Sequence, residues 1–329
     1  MRISLAELTG LIDRALAKFG HSPADAALIR EILLYAELRG NAQGLLKIAE
    51  RAILREAGAE PPLVVSRTAA TARIDGRRAN GMVVMGQAAD LAVELAAHAG
   101  IGAVGSFNTG TSTGAIGYFA DRIARAGLIG VAMSGTPKVT AMEGSNEPVF
   151  GTNPLAIGIP MAQAPMVLDI TTSAMAWFSL IEAREAGRSI APDIGYDKDG
   201  AATKDPAAIL KGALRAFGGH RGAGLALMVE ILTGALVGGD LPGEIGKPPS
   251  RGNLLLAIDP GAFGDSAEFL AKIERLATHL RTRRRNDVVV PIRLPGERSA
   301  ARAAATLAAG AIDLPDGLVD ALRKEATSG

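Results

Sequence analysis

Four stretches of the chain join glycine to small polar or charged side chains, a pattern that lets backbone N–H groups and hydroxyls converge on a ligand. Phe107–Phe119 (FNTGTSTGAIGYF) can cradle an anion with its amides and bind substrate with its hydroxyls, although the same composition also makes an ordinary flexible loop. Met133–Pro160 is long and irregular, and Lys138 is its only cation. An amine there can anchor a carboxylate or, if desolvated, act as a general acid; a solvated lysine is the commoner outcome. Gly218–Gly234 (GGHRGAGLALMVEILTG) runs from a glycine turn through His220 and Arg221 into an apolar helix. A helix N-terminus with two donors suits phosphate, and the alternative is a capped core helix with an exposed His–Arg pair. Leu294–Arg298 (LPGER) follows the extended run Val288–Pro291 and by itself says only turn plus charge pair.

Gly100, Gly102 and Gly105 spell GxGxxG. A nucleotide-binding βαβ unit needs those glycines after a strand and at the start of a helix. Here an Ala-rich helix over 82–99 precedes them and the short strand Ala103-Val104 follows, so the motif sits in the wrong order and Gly100 reads as a helix C-cap.

The chain has no cysteine, which excludes disulfides, thiolate metal sites and thiol catalysis. Its histidines, His21, His98, His220 and His279, are scattered without metal-ligand spacing, so no metal is expected. A net charge of +1 gives no field for nucleic acid or a membrane surface; the run Arg281, Arg283–Arg285 reads as the solvated end of a helix. Glu7 and Asp13 interrupt the apolar positions at the N-terminus, unlike a signal peptide, and Gly222–Gly238 is too short and too broken by Glu230 to span a bilayer. A cytoplasmic location is the expectation.

The elements that must hold these segments follow from periodicity. Residues 4–56 read as helices, with Ser4 and Ser22 as N-caps, Pro23 at the first helical position, and a loop at Arg39–Gly44. A strand–turn unit falls at 69–79, around Asp75-Gly76, and helices at 82–99 and 116–125. Strands are expected at 129–133, 155–159, 166–170 and 253–258, and further helices at 173–186, 222–237, 264–285 and through the tail 298–329. Helices, then mixed elements, then helices point to an α+β chain: a helical domain built from both ends (1–75 and 255–329) around an α/β domain (76–254).

GAIGYF at Gly114, EPVFGTNPLAI at Glu147, VLDITTS at Val167, GGHRGAGLALMVEILTG at Gly218, LLLAIDPGAFG at Leu254 and LPGER at Leu294 occur in this order. Together with ELRG at Glu37 they make the chain, almost end to end, resemble the malate/L-lactate dehydrogenase type 2 family, which includes sulfolactate and ureidoglycolate dehydrogenases and Δ1-piperideine/Δ1-pyrroline-2-carboxylate reductases. The resemblance implies a non-Rossmann, mostly antiparallel-sheet cofactor domain, a helical domain formed by both termini, and a homodimer with active sites between subunits. It implies NADPH or NADH contacts at Asp169, Ile170, Thr171, Thr172 and Ser173, at His220 and Arg221, and at Gly296, Glu297 and Arg298.

The sequence departs from the family where the chemistry is done. Members carry Ser-His-Gly and, three residues on, an arginine; the histidine donates a proton and the arginine holds the substrate carboxylate. Here the stretch is one residue shorter, Gln43 stands in the histidine position and Lys47 in that of the arginine. The position of a second active-site histidine falls on Ser112. Reducing a ketone requires a proton for the developing alkoxide, and an acid contributes roughly 10²–10⁴-fold. A protonated imine needs none. The expectation is therefore an NAD(P)H-dependent reductase of small 2-imino or 2-oxo carboxylates, leaning to cyclic imines, with Lys138 as a replacement acid if ketones are reduced. The alternatives are a malate/lactate-type 2-hydroxy acid dehydrogenase and a catalytically impaired pseudoenzyme. Arg184 and Arg188 can reach the 2′-phosphate of NADP or can be solvated charges.

Overall fold

A computed structural model describes every residue except 111, 245, 247, 248, 286–289, 328 and 329. Half of the extended run Val288–Pro291, residues 288 and 289, therefore lies outside the described residues. The chain begins with β1 (Arg2–Ser4), α1 (Leu5–Lys18), α2 (Pro23–Leu38) and the short α3 (Leu46–Ala49). The Ser4 hydroxyl accepts the Glu7 N–H at 3.1 Å and the Ser22 hydroxyl accepts the Asp25 N–H at 3.2 Å, the two caps expected. Next come β2 (Leu63–Arg67), β3 (Thr71–Asp75), α4 (Gly81–Ala99), β4 (Ile101–Thr109), α5 (Gly117–Arg125) and β5 (Ile129–Ser134). β6 (Thr140–Ala141), β7 (Pro148–Phe150), β8 (Leu155–Ile159), β9 (Met166–Ile170) and α6 (Trp177–Glu185) follow. The chain closes with β10 (Gly195–Tyr196), α7 (Pro206–Ile209), β11 (Ala213–Leu214), α8 (His220–Thr233), β12 (Arg251–Ile258), α9 (Ser266–Arg281), α10 (Glu297–Ala309), β13 (Ala311–Asp313) and α11 (Asp316–Thr327).

A seven-stranded sheet, in the order β2-β3-β4-β12-β5-β8-β9, organises the centre. Every pairing in it is antiparallel except β3 with β4. Side chains of a strand alternate between faces. Leu255 and Ala257 of β12 join the buried cluster that contains α4 and α5, while Leu254 and Leu256 join Val229 of α8 on the other face. β10, β11, β6 and β7 form a separate four-stranded sheet.

The termini meet through β1 and β13, with Arg2 opposite Asp313 and Ser4 opposite Ala311. One continuous apolar cluster then runs from Leu8, Ile12 and Leu16 of α1 through Ile29 and Leu33 of α2 to Val319 and Leu322 of α11, and on into the sheet. The sheet takes in more chain than expected. β2 and β3 precede residue 76 yet extend it beyond β4, and residues 255–258 complete its central strand, since backbone pairing partners far apart in sequence leave no local signature.

The GxGxxG glycines serve packing. Gly100 closes α4 in a left-handed conformation, φ 76°. A Cβ on Gly102 would stand 2.1 Å from the Ala92 carbonyl oxygen of α4, and one on Gly105 would stand 2.5 Å from Val237. Gly102 and Gly105 are glycine because α4 presses on one face of β4 and the turn after α8 on the other.

Candidate active site

A cleft of about 790 Å³ opens where the α2–α3 loop, the ends of β4, β5, β9 and β12, and the beginnings of α6 and α10 converge. That is within the usual range for small-molecule sites, roughly 300–1,000 Å³.

The loop after α2 folds back on its own helix. Glu37 accepts the Leu45 N–H at 2.9 Å, and Asn41 accepts the Gln43 N–H at 2.9 Å in an Asx turn. A Cβ at Gly44 would collide with the Glu37 carboxylate, so the close return requires glycine there. Burial pushes the Glu37 carboxyl up from its ordinary value. The fold-back presents Gln43 at the cleft wall, half-buried.

Lys47 of α3 also lines the cleft, and it is only 1% exposed. Its Nζ lies 3.8 Å from the centre of the Phe178 ring, and among the described residues it forms no ion pair. Desolvation lowers its pKa from 10.5 to about 7. A buried ammonium without an anion is costly, and it favours a ligand that brings one.

Across the cleft, Asp169 of β9 sets one carboxylate oxygen 3.1 Å from the Gly117 N–H, the first amide of α5. A Cβ at Gly117 would lie 2.8 Å from that oxygen, so glycine makes the seat possible. The surrounding protein raises the Asp169 carboxyl to about 6, opposed by the Gly117 hydrogen bond, although the side chain opens on the cleft and its surface is accessible. A third charged group lies nearby. The Arg39 guanidinium stacks 3.5 Å over the Tyr35 ring and reaches Asp121 at 3.9 Å, and Asp121 also accepts from Arg125 at 3.2 Å.

The structure gathers Gln43, Lys47, Ser112, Asp169, Thr171, Gly296 and Arg298 around this one cleft. Ser112 uses its hydroxyl to accept the Gly114 N–H at 3.3 Å. Thr172 and Ser173 are buried behind the wall. Thr171 and Thr172 both donate to the Thr152 carbonyl at 2.9 Å, and Ser173 donates to that of Met175 at 2.7 Å. These bonds knit a turn, and α6 consequently starts at Trp177 instead of 173. Ile170 is not part of the cleft wall either.

His220 and Arg221 are exposed at the start of α8 and do not line the cleft. The segment before them is tied to the turn behind the cleft wall: the Phe217 N–H donates to the Thr172 carbonyl at 3.0 Å, and Ser173 bridges Ala216. Glu297 turns away to accept the Leu294 N–H at 2.8 Å and to pair with Arg281. Lys138 is exposed; its neighbours Pro137 and Val139 line the cleft and it does not. Arg184 pairs with Glu185 at 2.6 Å.

Sequence reasoning missed Asn253, Trp177 and Phe178, and the Tyr35–Arg39–Asp121 cluster, all of which line the cleft. A lone amide opening the apolar strand Asn253–Ile258 was the available signal for the first. Asn253 donates to Ser106 at 2.9 Å and to Thr109 at 3.2 Å, while its buried carbonyl oxygen has no partner. An orphaned acceptor on a ligand cleft fits a carboxamide N–H, the group a nicotinamide carries.

The malate/L-lactate dehydrogenase family description matches residues 3–323. The chain belongs to this family. With it come an NAD(P)-dependent oxidoreductase and, at the level of class, a reductase or dehydrogenase of small carboxylates. It is 33% identical over 302 residues to an L-sulfolactate dehydrogenase of Methanothermobacter thermautotrophicus, covering 88% of each chain. It is 32% identical over 334 residues to Delta(1)-pyrroline-2-carboxylate reductase 1 of Burkholderia ambifaria, covering 97% of this chain and 95% of that one. The crystal structure of a dehydrogenase from Sinorhizobium meliloti superposes with a TM-score of 0.91 at 33% identity, covering 99% of both chains. Among the described residues no group of three or more His, Asp or Glu side chains is placed to hold a metal, and no helix is long and apolar enough to cross a membrane.

Proposed function

We propose that the protein is an NAD(P)H-dependent reductase of small 2-imino or 2-oxo carboxylates, and that cyclic 2-imino acids of the Δ1-pyrroline- or Δ1-piperideine-2-carboxylate type are its preferred substrates. The observation that carries this reading is the pairing of a buried, anion-free Lys47 with an uncharged amide, Gln43, on one cleft wall. The relative from Burkholderia ambifaria, named a pyrroline-2-carboxylate reductase, supports the same substrate class.

A bound nicotinamide supplies the hydride. The chain's residues bind and orient the acceptor. Lys47 holds the carboxylate, and binding an anion beside a desolvated ammonium restores its proton. The Gln43 side-chain oxygen can accept a hydrogen bond from the substrate's N–H. The Asn253 carbonyl oxygen would accept the cofactor's carboxamide N–H, and Arg298 in the cleft, with His220 and Arg221 at the start of α8, would supply donors for its phosphates. Phe178 lays its ring over the Lys47 ammonium. The active unit is a homodimer, which light scattering checks.

A second reading, a 2-hydroxy acid dehydrogenase, is favoured by Asp169. Its carboxyl, raised to about 6, can hold a proton that the exposed Lys138 is badly placed to deliver. Turnover of Δ1-piperideine-2-carboxylate against pyruvate and oxaloacetate, with NADH and NADPH each, separates the two. Faster reduction of the 2-oxo acids defeats the imine reading, and failure to bind either cofactor in a fluorescence titration defeats both.

A further inference from the structure

Phe178 of α6 stands over Lys47 of α3, and both side chains line the cleft. Further contacts hold the two helices in this arrangement. Leu180, fully buried, packs with Ile209 and Leu214, and Trp177 and Val139 pack against the same cluster. Arg184 of α6 lies 3.6 Å from Glu50, which closes α3. The Lys47 Nζ is 3.8 Å from the centre of the Phe178 ring, so one side of the ammonium is taken by an aromatic face. An anion must reach Lys47 from another side. Its oxygen then sits about 3 Å from Nζ and therefore no farther than about 7 Å from the ring centre. The first carbons of such a ligand lie beside the Phe178 ring. Trp177 and Val139, which also line the cleft, continue the apolar wall. An aromatic face carries negative charge density and offers an anion no donor.

We infer that Phe178 contacts the substrate and sets its specificity: its ring packs against the carbon skeleton beside the carboxylate that Lys47 holds, so the cleft takes monocarboxylates with a compact apolar body and rejects those with a second acidic group on that body. This rests on the reading that Lys47 anchors the carboxylate, and it narrows the substrate class within that reading. The methylene groups of a five- or six-membered cyclic 2-imino acid meet the requirement, and each one buried is worth ~4-fold in affinity. A second carboxylate or sulfonate at the same place would lose its water against an aromatic ring and gain no partner.

The test uses the full chain saturated with NADP⁺ or NAD⁺, whichever binds more tightly, and three probes. Acetate is the bare carboxylate, cyclopentanecarboxylate adds an apolar ring, and succinate adds a second carboxylate. The wild type is expected to bind cyclopentanecarboxylate at least ~10-fold more tightly than acetate, and succinate within ~3-fold of acetate. Phe178→Ala is expected to cut the cyclopentanecarboxylate-to-acetate ratio ~5–10-fold, whereas Phe178→Leu keeps the apolar contact and holds the ratio within ~3-fold. The ratio cancels any effect that passes through Lys47 alone, and so separates contact with the substrate from support of the amine. The alanine variant should also lose more kcat/KM for Δ1-piperideine-2-carboxylate than for pyruvate. Equal wild-type affinity for acetate and cyclopentanecarboxylate overturns the inference without any variant, so a folding defect cannot hide the answer. Tightest binding of succinate also overturns it and moves the specificity to Arg251, a half-buried cation on the same cleft. If the ring preference holds but Lys47→Met binds all three probes as the wild type does, the anchoring reading fails and the Phe178 contact stands. If it holds and no imine is turned over, the imine reading alone fails.

Discussion

Replacing Lys47 by methionine, a side chain of similar length with no charge, should make the protein more stable and a worse enzyme. Desolvation brings the Lys47 pKa from 10.5 to about 7. At about 1.36 kcal/mol per pH unit, that drop corresponds to about 5 kcal/mol of destabilisation whenever the amine is charged in the folded state. Below pH ~7 the lysine is protonated both folded and unfolded, so the whole penalty stands. Between about 7 and 10.5 the unfolded chain keeps a proton that the folded chain has released, and wild-type stability climbs with pH. Above 10.5 the penalty is gone. Methionine never incurs it. The stability gap in favour of Lys47→Met should therefore be widest near pH 6, with about 5 kcal/mol as its upper bound because water entering the cleft softens desolvation, and should shrink to about 2 kcal/mol at pH 9. Urea unfolding at the two pH values measures it. Over the same range kcat/KM for the carboxylate substrate should fall ~10–100-fold in the variant. A gap that does not change between pH 6 and pH 9, or a variant less stable than wild type at pH 6, refutes the picture of a lone buried ammonium waiting for an anion.

Two further substitutions probe other parts of the argument. Gln43→His returns an imidazole to the cleft wall and should raise pyruvate reduction about 10²-fold, with a fall in rate as pH passes the ordinary histidine range; no gain means that a missing acid is not what limits ketones. Gly102→Ala places a methyl 2.1 Å from the Ala92 carbonyl oxygen and should cost ~3 kcal/mol or more in thermal or urea unfolding, while NADPH affinity of the folded protein holds; lost affinity at unchanged stability would return the GxGxxG string to nucleotide binding.

Much of this protein was legible before any fold was known. Local rules decide helix caps, so Ser4 and Ser22 were recognisable from the residues that follow them. Apolar runs bounded by turns marked the strands at 129–134, 155–159 and 166–170 closely. The order of helix, glycine and strand was enough to reject GxGxxG as a nucleotide site, because that motif works only in the reverse order. The strand unit near 69–79 was visible, but its partner was not: β3 lies parallel to β4 across an intervening helix, and pairing is a property of two segments.

The sequence determined which residue types were on hand: no thiol, no clustered histidine, an amide at Gln43 and a lysine at Lys47. Only the tertiary structure decided which of them share a cleft. It brought Lys47 and Asp169, far apart along the chain, to one cavity and left Lys138 outside it. It buried Thr172 and Ser173 in a backbone knot and left the Asn253 carbonyl oxygen without a partner. The physical reason is that a charge acquires its chemistry from desolvation and from whom it meets, and both are set by packing between segments distant in sequence.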